Sequence, residues 1–277
     1  MSSKLLITGA HGFIGKYLIE EPILKKFELL TPSRKELNYM NKSAVSKYIE
    51  ENCPSYLIHL AWNTDPNSYK TSLDNINWTE ASGHLFKEFY KRGGFKTIAA
   101  GTGLEYDQSY GYFLEDTTPI APKTLYGICK NYTNNILKRH EHPYSWARIF
   151  NVYGYGEQPS RLITDTINSI INDKQIVIKN PNIVSDYIYV KDVSRILSEL
   201  LFKSHRKEIN ISSGQATSIR YIVDYITEKL DGQQYISYET GLNSMYVGNN
   251  SRLYEMEMEP KYSLTKGIDE MIKLMVK

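Results

Sequence analysis

The sequence predicts an α/β fold: a Rossmann-like doubly wound parallel sheet with a smaller C-terminal substrate-binding lobe. Three observations predict it. Short apolar runs alternate with helical stretches through the first half of the chain. The runs are continuous rather than alternating, as in strands buried on both faces. A glycine-rich turn closes the first run and opens the first helix, the context in which such a turn holds a dinucleotide.

The elements follow in order. Lys4-Leu5-Leu6-Ile7-Thr8 reads as a buried strand, and Gly12 to about Lys25 as a helix. Phe27 to Thr31 is a second strand and Lys42 to Asn52 a second helix. Tyr56 to Ala61 is a third strand, followed by a long helix from Asn75 to Arg92 with apolar Ile76, Ala81, Leu85 and Phe89. Thr97 to Ala100, a helix over Leu125 to Lys138, and Tyr144 to Ile149 complete the alternation. The rhythm loosens after about Asn151. Loops stand at 154–159 and 179–182, and short helices at about 163–172, 190–202 and 219–230. We therefore divide the chain into a dinucleotide-binding domain, 1–152, with a returning segment near 186–215, and a lobe, 153–277, that mainly holds substrate.

Composition excludes several classes. Lysine and arginine total 33 against 31 acids, a net charge of +2 with no like-charge block, so no nucleic-acid footprint is visible. No apolar run approaches the roughly 18 residues of a membrane span, and the first residues lack the pattern of a secretory signal. Two cysteines, Cys53 and Cys129, make no disulfide framework and suit a reducing compartment, so a cytoplasmic location is expected. No Cys, His and Asp cluster has metal-ligand spacing, and no metal is expected. The 23 tyrosines suit a site for polar, ring-shaped ligands.

The glycine turn reads Thr8-Gly9-Ala10-His11-Gly12-Phe13-Ile14-Gly15. Its glycines let the backbone approach a pyrophosphate, and the helix start supplies amide donors. We assign Gly9, His11, Gly12, Phe13, Ile14 and Gly15 to the cofactor, His11 through its backbone. The second strand ends in Thr31-Pro32-Ser33-Arg34-Lys35, without the acid that usually holds an NAD ribose. Ser33 and Arg34 suit a 2′-phosphate instead, which favours NADPH over NADH; the same residues also suit a solvated basic turn. Tyr126 and Lys130 stand four apart and share a helix face. A lysine ammonium there would lower the phenol's pKa and ready it for proton transfer, although a surface pair shows the same spacing. Thr102, after the fourth strand, falls at the sheet end where ligands bind. Cys129 reads as a packing residue.

In this order and spacing, these motifs resemble the extended short-chain dehydrogenases/reductases, in the nucleotide-sugar epimerase, dehydratase and reductase branch. Further matching stretches are Ile58 to Trp62, Arg148 to Gly154, Asp186 to Val193 and Asn210 to Gly214. The resemblance implies Tyr126 as acid/base, Lys130 on the nicotinamide ribose and Thr102 orienting the sugar oxygen. It implies that Leu60, Ala61 and Trp62 line the cofactor channel and that Asn41 stands against adenine. It places Asn151 on the substrate diphosphate, with Arg161 a further phosphate contact that reads equally as a solvated side chain, and it brings Gly103 against the sugar.

Departures choose the branch. Related sugar dehydratases follow the active threonine with Asp-Glu; here stand Gly103 and Leu104, which transfer no proton. Leu104 also occupies the place of the cysteine of bifunctional epimerase-reductases, and Gly156 stands near that of their histidine. Ser185 replaces an arginine of the diphosphate clamp. What remains is NADPH-dependent reduction of a 4-keto group on a nucleotide-linked 4-keto-6-deoxy sugar, for surface polysaccharide. The alternatives are a 4-epimerase with tightly bound NAD and a non-catalytic dinucleotide sensor. The resemblance implies a homodimer through the helices at 75–92 and 125–138.

Overall fold

The computed structural model of the chain describes residues 3–204 and 207–276; the outermost positions of the domain limits given above, 1–2 and 277, lie outside the described residues. Strand β1 (Lys4–Thr8) is followed by α1 (Phe13–Leu18), β2 (Glu28–Leu30), α2 (Lys42–Asn52), β3 (Tyr56–His59), α3 (Asp74–Lys91) and β4 (Lys96–Thr102). Then come β5 (Tyr112–Phe113), α4 (Leu125–Lys138), β6 (Tyr144–Ile149), β7 (Asn151–Tyr153), α5 (Leu162–Ile171), β8 (Ile176–Ile178), β9 (Val184–Ser185), β10 (Tyr187–Tyr189) and α6 (Val190–Glu199). The chain closes with β11 (Glu208–Ile211), β12 (Thr217–Ser218), α7 (Ile219–Lys229), β13 (Ile236–Tyr238), β14 (Met245–Gly248), α8 (Ser251–Glu255) and α9 (Leu264–Met275).

Six parallel strands form the main sheet in the order β11-β6-β4-β3-β1-β2. Their side chains alternate between two cores, as a strand's period of two requires. Leu5 and Ile7 face the core that holds Leu18 of α1 and Val193 and Ile196 of α6. Leu6 faces the opposite core, with Val45 and Ile49 of α2 and Leu85 and Phe89 of α3. All three β1 side chains are fully buried, which is why the run reads as continuously apolar. The strand order reverses between β1 and β3, so their carboxyl ends frame the crevice where ligands bind in such sheets.

Two expectations need correction. The first helix does not run to Lys25. It stops at Leu18, and Pro22 opens a separate 3₁₀ turn over Pro22–Lys26, because proline cannot donate to an earlier turn. On α3, Ala81, Leu85 and Phe89 are buried as expected, but Ile76 is exposed.

The remaining elements build a second core. Ile163, Ile167 and Ile170 of α5 pack with Ile222 and Ile226 of α7 and Ile268 and Met271 of α9. A four-stranded sheet, β12-β9-β14-β5, joins segments far apart in sequence, and its β14 runs beside the end of β4.

Candidate active site

The glycine turn closes against the reversal point of the sheet. Gly9 has a positive φ of 74°, and a Cβ there would come to 2.9 Å from the backbone nitrogen of Ala61. A Cβ on Gly15 would overlap the backbone of Gly9 and Ala10. Side chains would thus fill this cradle, and glycine keeps it open to a pyrophosphate. Gly12 caps α1 and donates to the Gly9 carbonyl at 2.9 Å; Phe13 and Ile14 begin the helix. The Thr8 hydroxyl lies 2.7 Å from His59 Nδ1 and accepts from Ala61 N, so the ends of β1 and β3 are tied together. His59 also contacts Ser82 at 2.9 Å, and burial with Lys130 nearby holds it neutral, down to about 3. Leu60, Ala61 and Trp62 follow β3 along this rim, with Ala61 and Trp62 buried.

The far end of the crevice holds a group the sequence reading missed. His11 Nε2 lies 3.0 Å from the Thr31 carbonyl and ties the glycine turn to the end of β2. Beyond it the Glu36 carboxylate accepts from Ser33 N at 2.7 Å, while Ser33 Oγ accepts from Glu36 N at 3.4 Å. Hydrogen bonding from the Ser33 backbone, then from its side chain, holds the Glu36 carboxyl below its usual range, with a smaller contribution from His11. Arg34 is exposed in the same turn. An acid therefore does stand beside the proposed 2′-phosphate pocket, one residue past the Thr31–Lys35 stretch. Asn41 caps α2, its side chain accepting from Ala44 N at 3.1 Å.

The structure brings Thr102, Tyr126 and Lys130 together, all buried. Thr124 caps α4 by accepting from Gly127 N, which sets Tyr126 in the first helical turn. Lys130, one turn on, donates to the Ala100 carbonyl at 2.8 Å, and its ammonium lies 3.9 Å from the Trp62 ring centre and 5.8 Å from that of Tyr126. Trp62 is fixed in turn by donating to Asn75 Oδ1 at 2.8 Å. Tyr69, which the sequence reading did not single out, sets its ring edge-on to Tyr126 at 5.0 Å.

The expectation that Lys130 lowers the Tyr126 pKa does not hold. Burial dominates and pushes the Tyr126 phenol well above its ordinary value; Tyr69 and Glu105 add to the rise, and Thr102 and Arg161 oppose it. Burial likewise brings Lys130 down to about 7, against an opposing pull from Glu105. The ammonium is engaged by a carbonyl and an indole face rather than by the phenol.

Glu105 is the second missed acid. It is fully buried and accepts from Thr102 N at 2.8 Å, Trp146 Nε1 at 2.9 Å and Arg148 Nε at 2.9 Å. Arg148 continues to the Tyr106 hydroxyl at 3.0 Å, which donates to Asn210 Oδ1 at 2.8 Å. Thr102 and Glu105 form a reciprocal capping box around a short 3₁₀ turn. Both missed acids share one signal, Ser or Thr followed three residues later by Glu, at Ser33/Glu36 and Thr102/Glu105. The carboxylate nearest Thr102 in sequence is thus turned into the core.

The substrate candidates lie on the lobe side. Gly103 has no room for a side chain: a Cβ would overlap the hydroxyl of Tyr246, delivered by β14. Asn151 donates to the Asp186 carbonyl at 2.9 Å. The Asp186 carboxylate is buried among Ser213 N, Ser213 Oγ and Gly214 N, and burial lifts it to about 6. Arg161 is exposed, and its guanidinium lies 5.9 Å from the Tyr69 ring centre, which joins it to the Tyr126 side of the crevice. Ser185 is buried within the lobe sheet, paired with Thr217 and Tyr246. At Gly156 the space around a Cβ is open. Cys129 is buried in the core, in keeping with a packing role. Among the described residues no helix is long and apolar enough to cross a membrane, and no group of three or more His, Cys, Asp or Glu could hold a metal ion.

A glycine cradle at the sheet's reversal point, beside a buried threonine, tyrosine and lysine, defines a dinucleotide-dependent enzyme of the extended short-chain dehydrogenase/reductase type. The chain belongs to the NAD dependent epimerase/dehydratase family, whose model matches residues 5–212. It is 28% identical to a dTDP-4-dehydro-6-deoxyglucose reductase of Escherichia coli, over 97% of this chain and 96% of that one. It is 27% identical to a GDP-6-deoxy-D-talose 4-dehydrogenase of Aggregatibacter actinomycetemcomitans, over 81% and 79%. The fold is shared with a UDP-glucose 4-epimerase of Thermus thermophilus solved with NAD, at a TM-score of 0.85 and 19% identity over 98% of both chains.

Proposed function

We propose that the chain reduces the 4-keto group of a nucleotide-linked 4-keto-6-deoxy sugar, with NADPH as the favoured cofactor. One observation carries the choice of reduction over elimination. Beyond Thr102 stand Gly103 and Leu104, and the next residue, Glu105, spends its carboxylate on Thr102 N, Trp146 and Arg148 in the core. No acid from this turn faces the crevice to drive loss of water, while Tyr126 and Thr102 remain to serve a carbonyl oxygen. The names of the two relatives above, a 4-keto sugar reductase and a 4-dehydrogenase, support the same chemistry.

The cradle at Gly9 and Gly15 fits a pyrophosphate, Trp62 and Lys130 fit the nicotinamide end, and Ser33 and Arg34 fit a 2′-phosphate. When bound, the dinucleotide supplies hydride to carbon-4. Tyr126 gives its phenolic proton to the carbonyl oxygen, which becomes the product hydroxyl. Thr102 donates to that oxygen as its charge grows, and the buried Lys130 ammonium adds positive charge to the site while serving the nicotinamide ribose. Asn151 and Arg161 serve the diphosphate, and the lobe at 153–277 encloses the sugar. We place the enzyme in the cytoplasm, supplying surface polysaccharide. We also place it in a homodimer through α3 and α4, whose outer surface exposes Ile76, Ile128 and Tyr132.

The second reading is a 4-epimerase with tightly bound NAD. The Glu36 carboxylate beside Ser33 favours it, because an acid there accepts from ribose hydroxyls and repels a 2′-phosphate. A non-catalytic dinucleotide sensor has no use for a buried Thr102, Tyr126 and Lys130 in one crevice. The test is to purify the protein, identify any bound nucleotide by mass spectrometry, and add 4-keto-6-deoxy sugars on dTDP, CDP, UDP and GDP with NADPH or NADH. Stoichiometric loss of the reduced-nicotinamide absorbance is expected with one of them. A changed sugar without net loss of that absorbance would make the protein an epimerase.

A further inference from the structure

We propose that His59 is a positioning residue for the cofactor: its imidazole, protonated on Nε2 alone, accepts the Thr8 hydroxyl proton and so fixes the Ala61 amide that walls the glycine cradle. The proposal rests on the reading of that cradle as a dinucleotide site and holds for either sugar reaction.

A buried relay of hydrogen bonds runs behind the crevice. Ala61 N donates to Thr8 Oγ1 at 3.2 Å, and Thr8 Oγ1 lies 2.7 Å from His59 Nδ1. On the other side of the ring, His59 Nε2 lies 2.9 Å from Ser82 Oγ, which donates to the Trp78 carbonyl at 2.7 Å. Thr8, His59 and Ser82 are all buried, Thr8 completely. The Phe86 ring stands edge-on to the imidazole at 5.4 Å.

The Trp78 carbonyl sets the direction of the relay. A carbonyl only accepts, so Ser82 gives it the single hydroxyl proton and offers His59 only a lone pair. His59 therefore donates from Nε2. In the neutral ring Nδ1 is then bare and accepts from Thr8, while Thr8 Oγ1 accepts from Ala61 N. Every group in the relay is paired. The other tautomer turns the Ser82 proton to Nε2 and donates from Nδ1 to Thr8, whose own proton then has no acceptor among the described residues. An imidazolium donates from both nitrogens and strands the same proton. Buried donors find acceptors, so only the neutral ring with its proton on Nε2 fits. Burial, with the Lys130 charge nearby, acts in the same direction by disfavouring a charged ring.

The relay ends at the cofactor crevice. A Cβ on Gly9 would come to 2.9 Å from Ala61 N, so the Ala61 backbone is a wall of the cradle, and its amide is committed to Thr8. Trp62 follows in the chain and carries the Lys130 ammonium 3.9 Å from its ring centre. The wall at the pyrophosphate and the indole at the nicotinamide end thus share one anchor.

Two substitutions separate positioning from mere support. In His59→Asn the side-chain oxygen takes the place of Nδ1 and accepts from Thr8, but nothing reaches Ser82. In His59→Gln the amide NH2 takes the place of Nε2 and donates to Ser82, but Thr8 loses its acceptor. Each variant keeps one bond of the ring, so support alone predicts similar losses of melting temperature and of cofactor affinity in both. We expect His59→Gln to raise the cofactor Kd about tenfold, the scale of one buried hydrogen bond, and His59→Asn to leave it close to the parent's. In a Thr8→Val background His59→Gln is expected to cost no further affinity. Equal Kd values for the two variants, or an undiminished loss in the Thr8→Val background, overturn the proposal. Nitrogen-15 NMR of the unaltered protein reads the imidazole proton directly, with His59 identified by the signal missing from His59→Asn. A proton on Nε2 alone, unchanged from about pH 5 to 8 where an ordinary histidine titrates, is expected; a proton on Nδ1, or titration in that range, overturns the assignment. If the protein binds neither NADPH nor NADH, the reading of the cradle falls and the proposal with it, whereas a bound cofactor with the wrong tautomer overturns the proposal alone.

Discussion

Replacing Glu105 by glutamine tests the core behind the site. The carboxylate is fully buried and holds the Arg148 guanidinium, whose side chain is 3% exposed. Glutamine keeps the length and can still accept from Thr102 N and Trp146 Nε1. Its NH2 group then faces Arg148 Nε, which had donated to Oε2, so a buried cation loses both that acceptor and its counter-charge. Breaking such a pair by removing one partner costs about 3–5 kcal/mol. With an m-value of about 3 kcal/mol per molar, at the upper end for urea, the midpoint should fall by roughly 1–2 M. The double variant Glu105→Gln with Arg148→Met removes both charges and should recover most of the loss, a strong non-additivity. The charge also acts on the site: Glu105 raises the Lys130 pKa, so in the single variant Lys130 should titrate below about 7. The alkaline fall of kcat should then begin at lower pH. Urea melts and a pH–rate profile measure both effects. A single-variant loss under about 1 kcal/mol, or a double variant as unstable as the sum of the singles, would refute the account of this pair.

Tyr126→Phe should cut turnover by about 10²–10⁴ while leaving cofactor titration unchanged, since it removes the proton donor and little else; near-parental turnover would remove Tyr126 from the mechanism. Arg34→Ala should weaken NADPH more than NADH, and Glu36→Gln should do the reverse by removing a charge that repels a 2′-phosphate; equal effects on both cofactors in fluorescence titrations would deny the turn any part in the choice. Burial holds Glu157 up at about 7, above its unfolded value near 4.5. The folded state therefore keeps a proton that the unfolded state has released, and this contribution to stability is present below about pH 4.5 and lost as pH rises through 7. Glu157→Gln should flatten that decline in urea midpoints taken from pH 4 to 8, and an unchanged slope would show that Glu157 is not the group responsible.

Local pattern made part of this molecule legible. β1 is readable because Leu5, Leu6 and Ile7 are buried on both sides, and the pairing of Tyr126 with Lys130 because four residues make a helical turn. The glycine turn is readable because its backbone approaches are local to β1 and α1. The early end of the first helix was also written in the chain, at Pro22, but the apolar Ile19, Ile23 and Leu24 masked it. The short strands of the lobe's four-stranded sheet were not legible. β5, β9 and β14 exist through pairings between segments near 112, 184 and 246, and nothing local marks them. Tyr69 and Tyr246 enter the site by such long-range routes, so no spacing rule could select them among 23 tyrosines. Glu36 and Glu105 differ, since each completes a capping-box pattern visible in the sequence. They go unread because Glu36 falls one residue beyond the Thr31–Lys35 strand end, and because an acid inside a turn reads as solvated until its partners are known.

The meeting of Gly103 and Tyr246 explains in physical terms why the chain lacks the acids of an eliminating enzyme. A Cβ at 103 would overlap the Tyr246 hydroxyl and press on the ring carbon that bears it, and it would come to 3.0 Å from Phe150. Gly103→Ala should therefore cost about 1–3 kcal/mol, the usual range for overpacking a filled site. Tyr246→Phe cannot relieve it, because the ring carbon stays in place, whereas Tyr246→Ala should. The combination of Gly103→Ala with Tyr246→Ala is then expected to be more stable than the sum of the single losses predicts, by at least 1 kcal/mol in urea melts. Strict additivity would show that the two positions do not compete for the same space. The same geometry predicts that writing Asp-Glu at 103 and 104 yields no dehydratase while Tyr246 remains. A carboxylate at 103 has nowhere to stand until the phenol is removed.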